Sequence, residues 1–403
     1  MKESIKKRIE AVCRGEVPVG YVDAAAGIIP TDWSCAPLHA ISEILSEQAG
    51  NREFETLSIS AGIGFVNQAE KFGKELSGKQ YAKYTVLRRG DFAYNKGNSK
   101  RYPQGCTYML REREEAAVPN VFECFRIAQG HPEYYEQLFI NGFMNKQLTR
   151  KINHGVRDDG LLNLTDDDFY STVLPVPPVV EQQKIAAILV ACDRMIELKQ
   201  QLLEEKRRQK QWLMYMIFEE QCLMPETTKE LSFDEVFTTC STRGHQIKTD
   251  QYVAKGLFPV VDQGKRPVVA FSDDKSKLLK CPQTGLIVFG DHTKELKFVD
   301  FDFIVGADGV QLICAKESIL TAEFGYYLLS AKKLPDDGYS RHFKYLKEFT
   351  YSVPDRDTQN QISSILRVID KEIVLLETEF ELWQQKKKAL MQLLLTGLVR
   401  VNA

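Results

Sequence analysis

The sequence predicts an α+β protein in which two globular α/β domains are separated by a pair of long antiparallel coiled-coil helices, with an internal pseudo-two-fold repeat. Three observations lead to this prediction. The chain has 403 residues, of which 43 % are hydrophobic and 27 % are charged, as in a globular protein of two or three domains. Residues 177–218 align with residues 354–395 without a gap. Two segments of similar size, 30–169 and 225–350, precede the two copies.

The two copies have the pattern of long helices. Each follows a proline and then contains neither Gly nor Pro for about forty residues, a length that spans roughly 60 Å as a helix. Apolar residues recur at near-heptad spacing, although Lys199, Lys206 and Gln209 interrupt the first stripe. We expect the seam to be formed by Ile185, Leu189, Ile196, Leu213, Ile362, Ile369, Leu376, Trp383 and Leu390.

The segments before the helices share an order of elements. Strand-like runs at 84–87 and 121–127 precede a predicted helix from residue 132 in the first segment. Runs at 286–289 and 310–314 precede a predicted helix near residues 324–329 in the second segment. A Gly-Asp pair ends a strand in each segment, at residues 90–91 and 290–291, so we expect related modules with diverged content.

Charge is balanced over the whole chain but not locally. The formal net charge of −2 excludes binding of a polyanion through bulk charge. Residues 79–113, however, contain nine basic side chains against Asp91 and Glu112, with tyrosines interleaved. This window predicts either contact with nucleic acid or a solvated charged face, and the sequence leaves both interpretations open.

The sequence contains no complete catalytic motif that we recognise. Residues 73–80 approach a P-loop, but Gln80 stands where a P-loop needs Ser or Thr for Mg²⁺. Residues 291–297 combine carboxylates with lysine as metal-dependent nucleases do, yet Asp291 and Glu295 are too close in sequence for ligands from separate strands. We therefore interpret 291–297 as a loop and the chain as one that binds and does not catalyse.

The cysteine pattern and the N-terminus suggest a compartment. Nine cysteines form no C-x-x-C pair and no Cys/His cluster, which predicts reduced, mostly buried thiols and no structural zinc. No apolar run is long enough for a bilayer, and the charged N-terminus lacks a signal-peptide core. We expect a cytoplasmic protein.

Several motifs resemble one family. Residues 176–185 look like the entry to the central conserved helix of the specificity subunit of type I restriction–modification enzymes, and residues 386–401 like its distal counterpart. Residues 29–33 resemble the start of the first target-recognition domain, and residues 155–162 and 338–344 the ends of the two. The implied domains are an N-terminal helix and lead-in at 1–29, recognition domains at 30–175 and 221–352, and spacer helices at 176–220 and 353–403.

The resemblance implies a DNA-recognition role without catalysis. Each recognition domain would read one half of a bipartite double-stranded DNA target. The helices would set the spacing and dock two modification (methyltransferase) subunits through the seam residues named above. S-adenosylmethionine, ATP and Mg would be held by the modification and restriction (helicase–nuclease) subunits, and this chain would hold no cofactor or metal and meet no membrane.

Candidate DNA contacts follow from composition and position. In the first domain we select Lys96, Asn98, Lys100, Arg101 and Arg157; in the second, Lys265, Arg266, His292, Lys294, Arg341 and Lys344. Cationic side chains neutralise phosphates, and Arg, Lys and Asn also read base edges. The alternatives are a coiled-coil scaffold or adaptor without DNA binding, and a nuclease or NTPase in its own right.

Overall fold

A computed structural model shows two units that mix helices and strands. It describes residues 3–72, 78–97, 102–152, 162–307, 309–335, 338 and 340–401. Unit one comprises Met1–Leu198 with Phe380–Ala403, and unit two comprises Lys199–Glu379. Two helices of 40 and 39 residues contribute to both units. The predicted α+β class with two long helices is confirmed.

Unit one consists of short elements that precede the first long helix. Its helices are α1 (Glu3–Cys13), α2 (Leu38–Ile41), α3 (Gln68–Phe72), α4 (Pro132–Ile140), α5 (Asn145–Lys151), α6 (Asp166–Tyr170) and the first half of α7 (Val179–Phe218), with a 3-10 turn at Gly78–Lys83. Its strands are β1 (Tyr21–Ala24), β2 (Gly27–Pro30), β3 (Ser34–Pro37), β4 (Ser42–Ile44), β5 (Leu57–Ser60), β6 (Gly64–Asn67), β7 (Thr85–Arg88), β8 (Phe92–Asn95), β9 (Cys106–Met109), β10 (Glu115–Val118), β11 (Glu123–Ile127) and β12 (Val173–Val176).

Unit two has a similar inventory. Its helices are the second half of α7, α8 (Phe233–Val236), α9 (Ala322–Ser330), α10 (Phe343–Leu346) and most of α11 (Arg356–Leu394), with 3-10 turns at Thr249–Gln251 and Lys275–Lys277. Its strands are β13 (Lys229–Ser232), β14 (Phe237–Cys240), β15 (Phe258–Val261), β16 (Ala270–Ser272), β17 (Leu286–Gly290), β18 (Leu296–Val299), β19 (Ile304–Val305), β20 (Val310–Ala315) and β21 (Thr350–Val353).

The central antiparallel sheet has the same topology in both units. Its strand order is β4-β11-β8-β9 in unit one and β14-β20-β17-β18 in unit two. A two-stranded sheet, β12-β3 or β13-β21, leads into the long helix in each case. The smaller sheets differ, with β10-β7, β5-β6 and β1-β2 in unit one and β16-β15-β19 in unit two. The two units therefore share the central sheet and the two-stranded sheet that leads into the long helix, and they differ in their smaller sheets.

The central strands are apolar on both faces because a hydrophobic cluster covers each face. In β17, Ile287 and Phe289 join the cluster that contains α9, whereas Leu286 and Val288 join the cluster on the other side of the sheet. Successive side chains of a strand point to opposite faces, so a continuous apolar run is expected here. In unit one, Phe92 stacks on Phe125 with ring centroids 5.3 Å apart, within the cluster that contains α4.

The strand register corrects the predicted equivalence of the two Gly-Asp pairs. Phe92 opposes Phe125 in unit one, and Ile287 opposes Ile313 in unit two, so Gly90 corresponds to Gly285. Both glycines have a φ of +91°, a left-handed conformation that glycine adopts without strain. The pair at 290–291 instead follows the central strand. The pair at 290–291 is therefore like the pair at 90–91 only in being a Gly-Asp pair at the end of a strand.

α7 and α11 run antiparallel where they pair inside each unit. In unit two the cross-helix ion pairs, with N–O distances of 2.5, 2.8 and 2.5 Å, are Lys199–Glu379, Lys206–Glu372 and Lys210–Asp370. The partner's number falls as the lysine's number rises, as antiparallel pairing requires. Lys199 and Lys206 are the residues that interrupt the apolar stripe, so the interruptions are charged contacts between the two helices.

The seam residues predicted from the heptads lie inside their own units. Ile185 and Leu189 belong to the hydrophobic cluster of unit one, and Ile362 to that of unit two. Leu376 is also buried, and the other predicted seam residues are half-buried: Ile196, Leu213, Ile369, Trp383 and Leu390. Because none of the nine is exposed, all of them contribute to the packing of this chain, and the role predicted for them in docking a partner stays a prediction.

The cysteines depart from the sequence prediction. Cys240 and Cys314 form a disulfide between β14 and β20, where the prediction was that all thiols are reduced. The pair is cross-strand, with Cα atoms 6.6 Å apart, a separation within the usual range for a disulfide. Of the free cysteines, only Cys124 and Cys192 are buried, so the prediction of mostly buried thiols was also wrong. A linear sequence does not reveal which strands become neighbours.

Within the described part of the chain, no helix is both long and apolar enough to cross a membrane.

Candidate nucleic-acid interface

Three separate segments of unit two meet at one end of the central sheet, beyond β17. We call residues 262–266, 290–295 and 340–344 the loop cluster. It contains every residue of the second domain that the sequence selected as a DNA contact. Of these, Lys265, Arg266, Arg341 and Lys344 are exposed, and His292 and Lys294 are half-buried. The structure thus brings together six candidates that are up to 79 residues apart in sequence.

Asp291 holds the loop cluster together. Its backbone carbonyl accepts hydrogen bonds from the backbone N–H and from Nδ1 of His342, both at 2.9 Å. Its carboxylate oxygen Oδ1 accepts the backbone N–H of Phe343 at 2.8 Å. Asp291 is 4 % exposed, and a buried carboxylate of this kind is stable only when hydrogen-bonded. The residue that resembled a nuclease ligand therefore has a structural role that aligns the 340–344 segment beside the turn.

Two further contacts connect the remaining segments. Nδ1 of His292 donates to the carbonyl of Ser340 at 3.1 Å, and the hydroxyl of Thr293 donates to the carbonyl of Gln263. A Cβ atom at Gly290 would lie 2.9 Å from Cβ of Gln263, so glycine is needed for this close approach. The exposed Lys265 and Arg266 follow Gln263 directly. These hydrogen bonds join the three segments of the loop cluster, and its cationic side chains lie on the surface.

The corresponding place in unit one is differently charged. The backbone N–H of Leu162 donates to the carbonyl of Lys96 at 2.9 Å, which matches the bond from His342 to Asp291. The ammonium of Lys96 lies 2.7 Å from a carboxylate oxygen of Glu123 and of Asp166, and its side chain is 12 % exposed. Burial alone would lower the pKa of Lys96, but the two carboxylates outweigh it and raise the pKa. Lys96 is charged, half-buried and already paired with two carboxylates, so the structure gives no support to a phosphate contact from it.

The basic window at 79–113 has its described arginines in ion pairs. Its described arginines pair with carboxylates that mostly lie outside the window: Arg88 with Glu47 and Glu115, Arg89 with Glu114, Arg111 with Glu133 and Glu136, and Arg113 with Glu55 and Glu112. The hydrogen bonds from Arg88 and Arg52 hold the pKa of Glu47 at about 2. The charge excess counted along the chain is therefore not a basic patch on these residues.

Part of this chain matches the model of a known protein family. Residues 130–206 match the family model of the type I restriction modification DNA specificity domain. This stretch includes α4, α5, α6, β12 and most of α7. The match thus spans the end of the first globular segment and the start of the first long helix.

Solved structures share the fold of this chain. It is similar to the S subunit of a type I restriction–modification system from M. genitalium, with 13 % identity and a TM-score of 0.61, covering 90 % of this chain and 96 % of that one. It is also similar to a structure described as showing complex assembly and conformational transition of the type I R-M system. There the identity is 16 % and the TM-score 0.50, covering 92 % of this chain and 99 % of that one.

Four of the eleven predicted DNA contacts, Asn98, Lys100, Arg101 and Arg157, lie outside the described residues. The structure does describe the elements beside them. The amide of Gln104 donates to the hydroxyl of Thr149 on α5 at 3.0 Å. Exposed Lys146 and Arg150 on the same helix were missed by the sequence reasoning. The basic last turn of this short helix, just before the motif at 155–162, is a signal for Arg150, whereas Lys146 lies in the first turn and has no such signal.

The described residues were also compared with the side-chain groupings that hold metal ions. No group of three or more His, Cys, Asp or Glu side chains in the described ranges is arranged to hold a metal ion. The near P-loop at 73–80 falls mostly outside those ranges. What the arrangement offers chemically is hydrogen-bonding and cationic side chains on a rigid turn, which is suited to phosphate and base contacts.

Proposed function

We propose that this chain is the DNA specificity subunit of a type I restriction–modification complex. Each globular unit reads one half of a bipartite DNA target, and the paired helices set the spacing between the halves. The chain is not itself an enzyme. It works in the cytoplasm, and modification and restriction subunits supply S-adenosylmethionine, ATP and Mg.

The loop cluster is the single observation that carries this proposal most directly. It presents four exposed cations on turns that Asp291 fixes, at one end of the sheet. Cations on fixed turns can set the register on a duplex through phosphates, while neighbouring amide, hydroxyl and guanidinium groups read base edges. A repeated sheet frame with different loops attached is consistent with two modules that read different half-sites. A scaffold without DNA binding would have no need for such a cluster.

The proposal is tested by reversing charge on the loop cluster. Arg341→Glu with Lys344→Glu removes two exposed cations without touching the hydrogen bonds of Asp291. We expect weaker binding of target DNA and a salt dependence shallower by about one unit per lost phosphate contact. Arg89→Glu is the matched control, because Arg89 is exposed but paired with Glu114 outside the cluster.

The readout is DNA affinity at several salt concentrations, with the half-site sequences identified from a methylome or a randomised DNA library. Loss of preference in one half of the target, with the other half intact, agrees with one unit reading each half. Unchanged affinity and salt slope in the double variant would contradict the assignment of the cluster. Absence of any DNA binding by the wild-type complex would favour the scaffold alternative.

A further inference from the structure

Unit one contains a short basic helix, α5, that has no counterpart in the described part of unit two. Helices α6 and α10 are equivalent, because each begins seven residues before the strand that leads into the long helix. The stretch between α4 and α6 has 25 residues and includes α5. The stretch between α9 and α10 has 12 residues and forms no helix where it is described. α5 is therefore an addition that unit one alone carries.

The inner face of α5 is fixed to the rest of unit one. The side-chain amide of Gln147 donates to the carbonyl of Val173 at 2.8 Å and accepts the backbone N–H of the same residue at 2.9 Å. Leu148 is buried in the hydrophobic cluster of the unit, and Nζ of Lys151 donates to the carbonyl of Asp168 at 2.9 Å. These contacts hold the helix against β12 and α6, so the side chains of its opposite face project from a fixed backbone.

The outer face of α5 carries two cations. Lys146 and Arg150 are four residues apart, so they lie on one side of the helix, and both are exposed. Neither forms an ion pair with a carboxylate of the described residues. Within residues 30–176 every other described arginine does form one: Arg52, Arg88, Arg89, Arg111, Arg113 and Arg126. The guanidinium of Arg150 therefore remains available to an external anion.

The acidic start of the neighbouring helix α6 does not neutralise the outer face. Asp166 pairs with Lys96 at 2.7 Å, and Oδ2 of Asp168 accepts the hydroxyl of Thr165 at 2.7 Å. The third aspartate, Asp167, is exposed, and in the described chain it forms no ion pair with α5. α5 itself contains no acidic residue. The outer face consequently keeps its positive charge.

The position of the outer face indicates which anion it meets. Nε2 of Gln104 donates to the hydroxyl of Thr149 at 3.0 Å, which places this face beside the turn between β8 and β9. By the strand register, that turn corresponds to the turn between β17 and β18, which belongs to the loop cluster of unit two. The exposed cations of both units thus lie at the same end of the central sheet. A duplex read at this end presents phosphates to them.

We propose that α5 is a phosphate-binding element particular to unit one, in which Lys146 and Arg150 contact backbone phosphates of the half-site that this unit reads. The inference rests on the proposed function for the identity of the polyanion. It makes the two units bind DNA unequally, because unit one uses cations on a fixed helix and unit two uses cations on turns. Phosphate contacts set register and carry no base information, so α5 contributes affinity without base preference.

Charge reversal on the outer face tests this proposal. Lys146→Glu with Arg150→Glu is made in the full chain assembled with its modification subunits, and affinity for target DNA is measured at several salt concentrations. We expect binding at least about tenfold weaker, with a salt dependence shallower by about two units because two phosphate contacts are lost. Base preference in both half-sites, measured with a randomised DNA library, should stay unchanged. Arg150→Lys keeps the charge and should keep most of the affinity.

A matched control reverses two charges elsewhere in unit one. Lys7→Glu with Lys388→Glu alters exposed lysines on α1 and α11 and changes the net charge by the same amount. This control should bind DNA like the wild type. Circular dichroism checks folding and native mass spectrometry checks assembly. Lys146→Gln with Arg150→Gln provides a milder pair of substitutions if the carboxylates unfold the chain.

Uncharged methylphosphonate linkages locate the contact on the DNA. The half-site of unit one is the half whose base preference survives Arg341→Glu with Lys344→Glu. Methylphosphonates in that half should weaken binding by the wild type and leave the α5 double variant little changed. In the other half they should weaken both proteins equally.

Failure of this inference is distinguishable from failure of the proposed function. Unchanged affinity and salt dependence in the α5 double variant, or an equal loss in the control, would overturn α5 as a phosphate-binding element while leaving DNA recognition intact. A change in base preference without a change in salt dependence would overturn it as well. A wild-type complex that binds no target DNA would instead refute the proposed function.

Discussion

Gln182 and Gln359 occupy the same position in the repeat, five residues after Pro177 and Pro354. The amide oxygen of Gln182 accepts the backbone N–H of His131, which precedes α4, and its amide nitrogen donates to the carbonyl of Pro177, both at 2.8 Å. Gln359 accepts from Thr321, which precedes α9, and donates to Pro354 in the same way. Each glutamine thus joins the start of a domain helix to the start of a long helix.

Replacing Gln182 should destabilise unit one. Gln182→Leu removes both hydrogen bonds and leaves buried backbone groups unpaired, at a cost of about 2–4 kcal/mol in the free energy of unfolding. Urea denaturation followed by circular dichroism measures the change. Gln183→Leu, at the exposed neighbouring position, is the control and should stay within about 0.5 kcal/mol of wild type. Equal effects from the two substitutions would count against this role of Gln182.

At the scale of elements, the segment after α11 is fastened to the start of α7. The guanidinium of Arg400 donates to both carboxylate oxygens of Glu181 at 2.8 Å and to Asp32 at 2.7 Å. Nε1 of Trp33 also donates to Glu181, at 3.0 Å. Burial pushes the pKa of Glu181 upward, but the hydrogen bonds from Arg400 and Trp33 outweigh it and the pKa is lowered. The pKa of Asp32 is lowered by Arg400 as well.

These pKa directions predict an acid-sensitive junction. A carboxyl group whose folded-state pKa is lowered contributes stability above its unfolded pKa of about 4, and that stability is lost as pH falls through the folded pKa. In Arg400→Met, Glu181 loses the guanidinium that lowers its pKa and keeps only the hydrogen bonds from Trp33 and Val401 against burial, so its pKa rises and its contribution to stability shrinks. Denaturation midpoints between pH 7 and pH 3 should fall less steeply for the variant. Parallel pH profiles of variant and wild type would contradict the prediction.

At the scale of the whole molecule, the repeat encodes a reciprocal pair of cross-helix contacts. Asp193 on α7 pairs with Lys387 on α11 in unit one, and Asp370 on α11 pairs with Lys210 on α7 in unit two, each with an N–O distance of 2.5 Å. The domain helix adds a donor in both: Gln137 to Asp193 and Tyr327 to Asp370. Asp370 and Lys387 follow Asp193 and Lys210 by the same number of residues, so the ion pair of each unit joins one residue from each copy of the repeat.

Charge substitution tests this reciprocity. Lys210→Glu places like charges beside each other and should lower the free energy of unfolding by about 1–2 kcal/mol, because the site is partly buried. Lys387→Glu should have an effect of similar size in unit one. The swap Lys210→Asp with Asp370→Lys should recover at least half of the loss, whereas Lys388→Glu, at an exposed position, should be nearly neutral. A swap no more stable than the single variant would argue against a direct pair.

The candidate interface was predictable in part. Lys265, Arg266, His292, Lys294, Arg341 and Lys344 were selected from the sequence, and the structure places all of them in one loop cluster. Asp291 and Gln263, which hold the cluster, were not selected as its organisers because their hydrogen bonds go to distant residues. Lys96 was selected for its charge, and its partners Glu123 and Asp166 are 27 and 70 residues away.

The sequence by itself determined the repeat, the two long helices and the order of elements in each module, because helical periodicity, proline position and strand alternation are local properties. Only the tertiary structure decided which charges remain on the surface. Arg113 meets Glu55 and Arg88 meets Glu47 across segments that are distant in the chain, so these arginines of the basic run are paired in the folded protein. Electrostatic interactions depend on distance in space, and chain folding sets that distance.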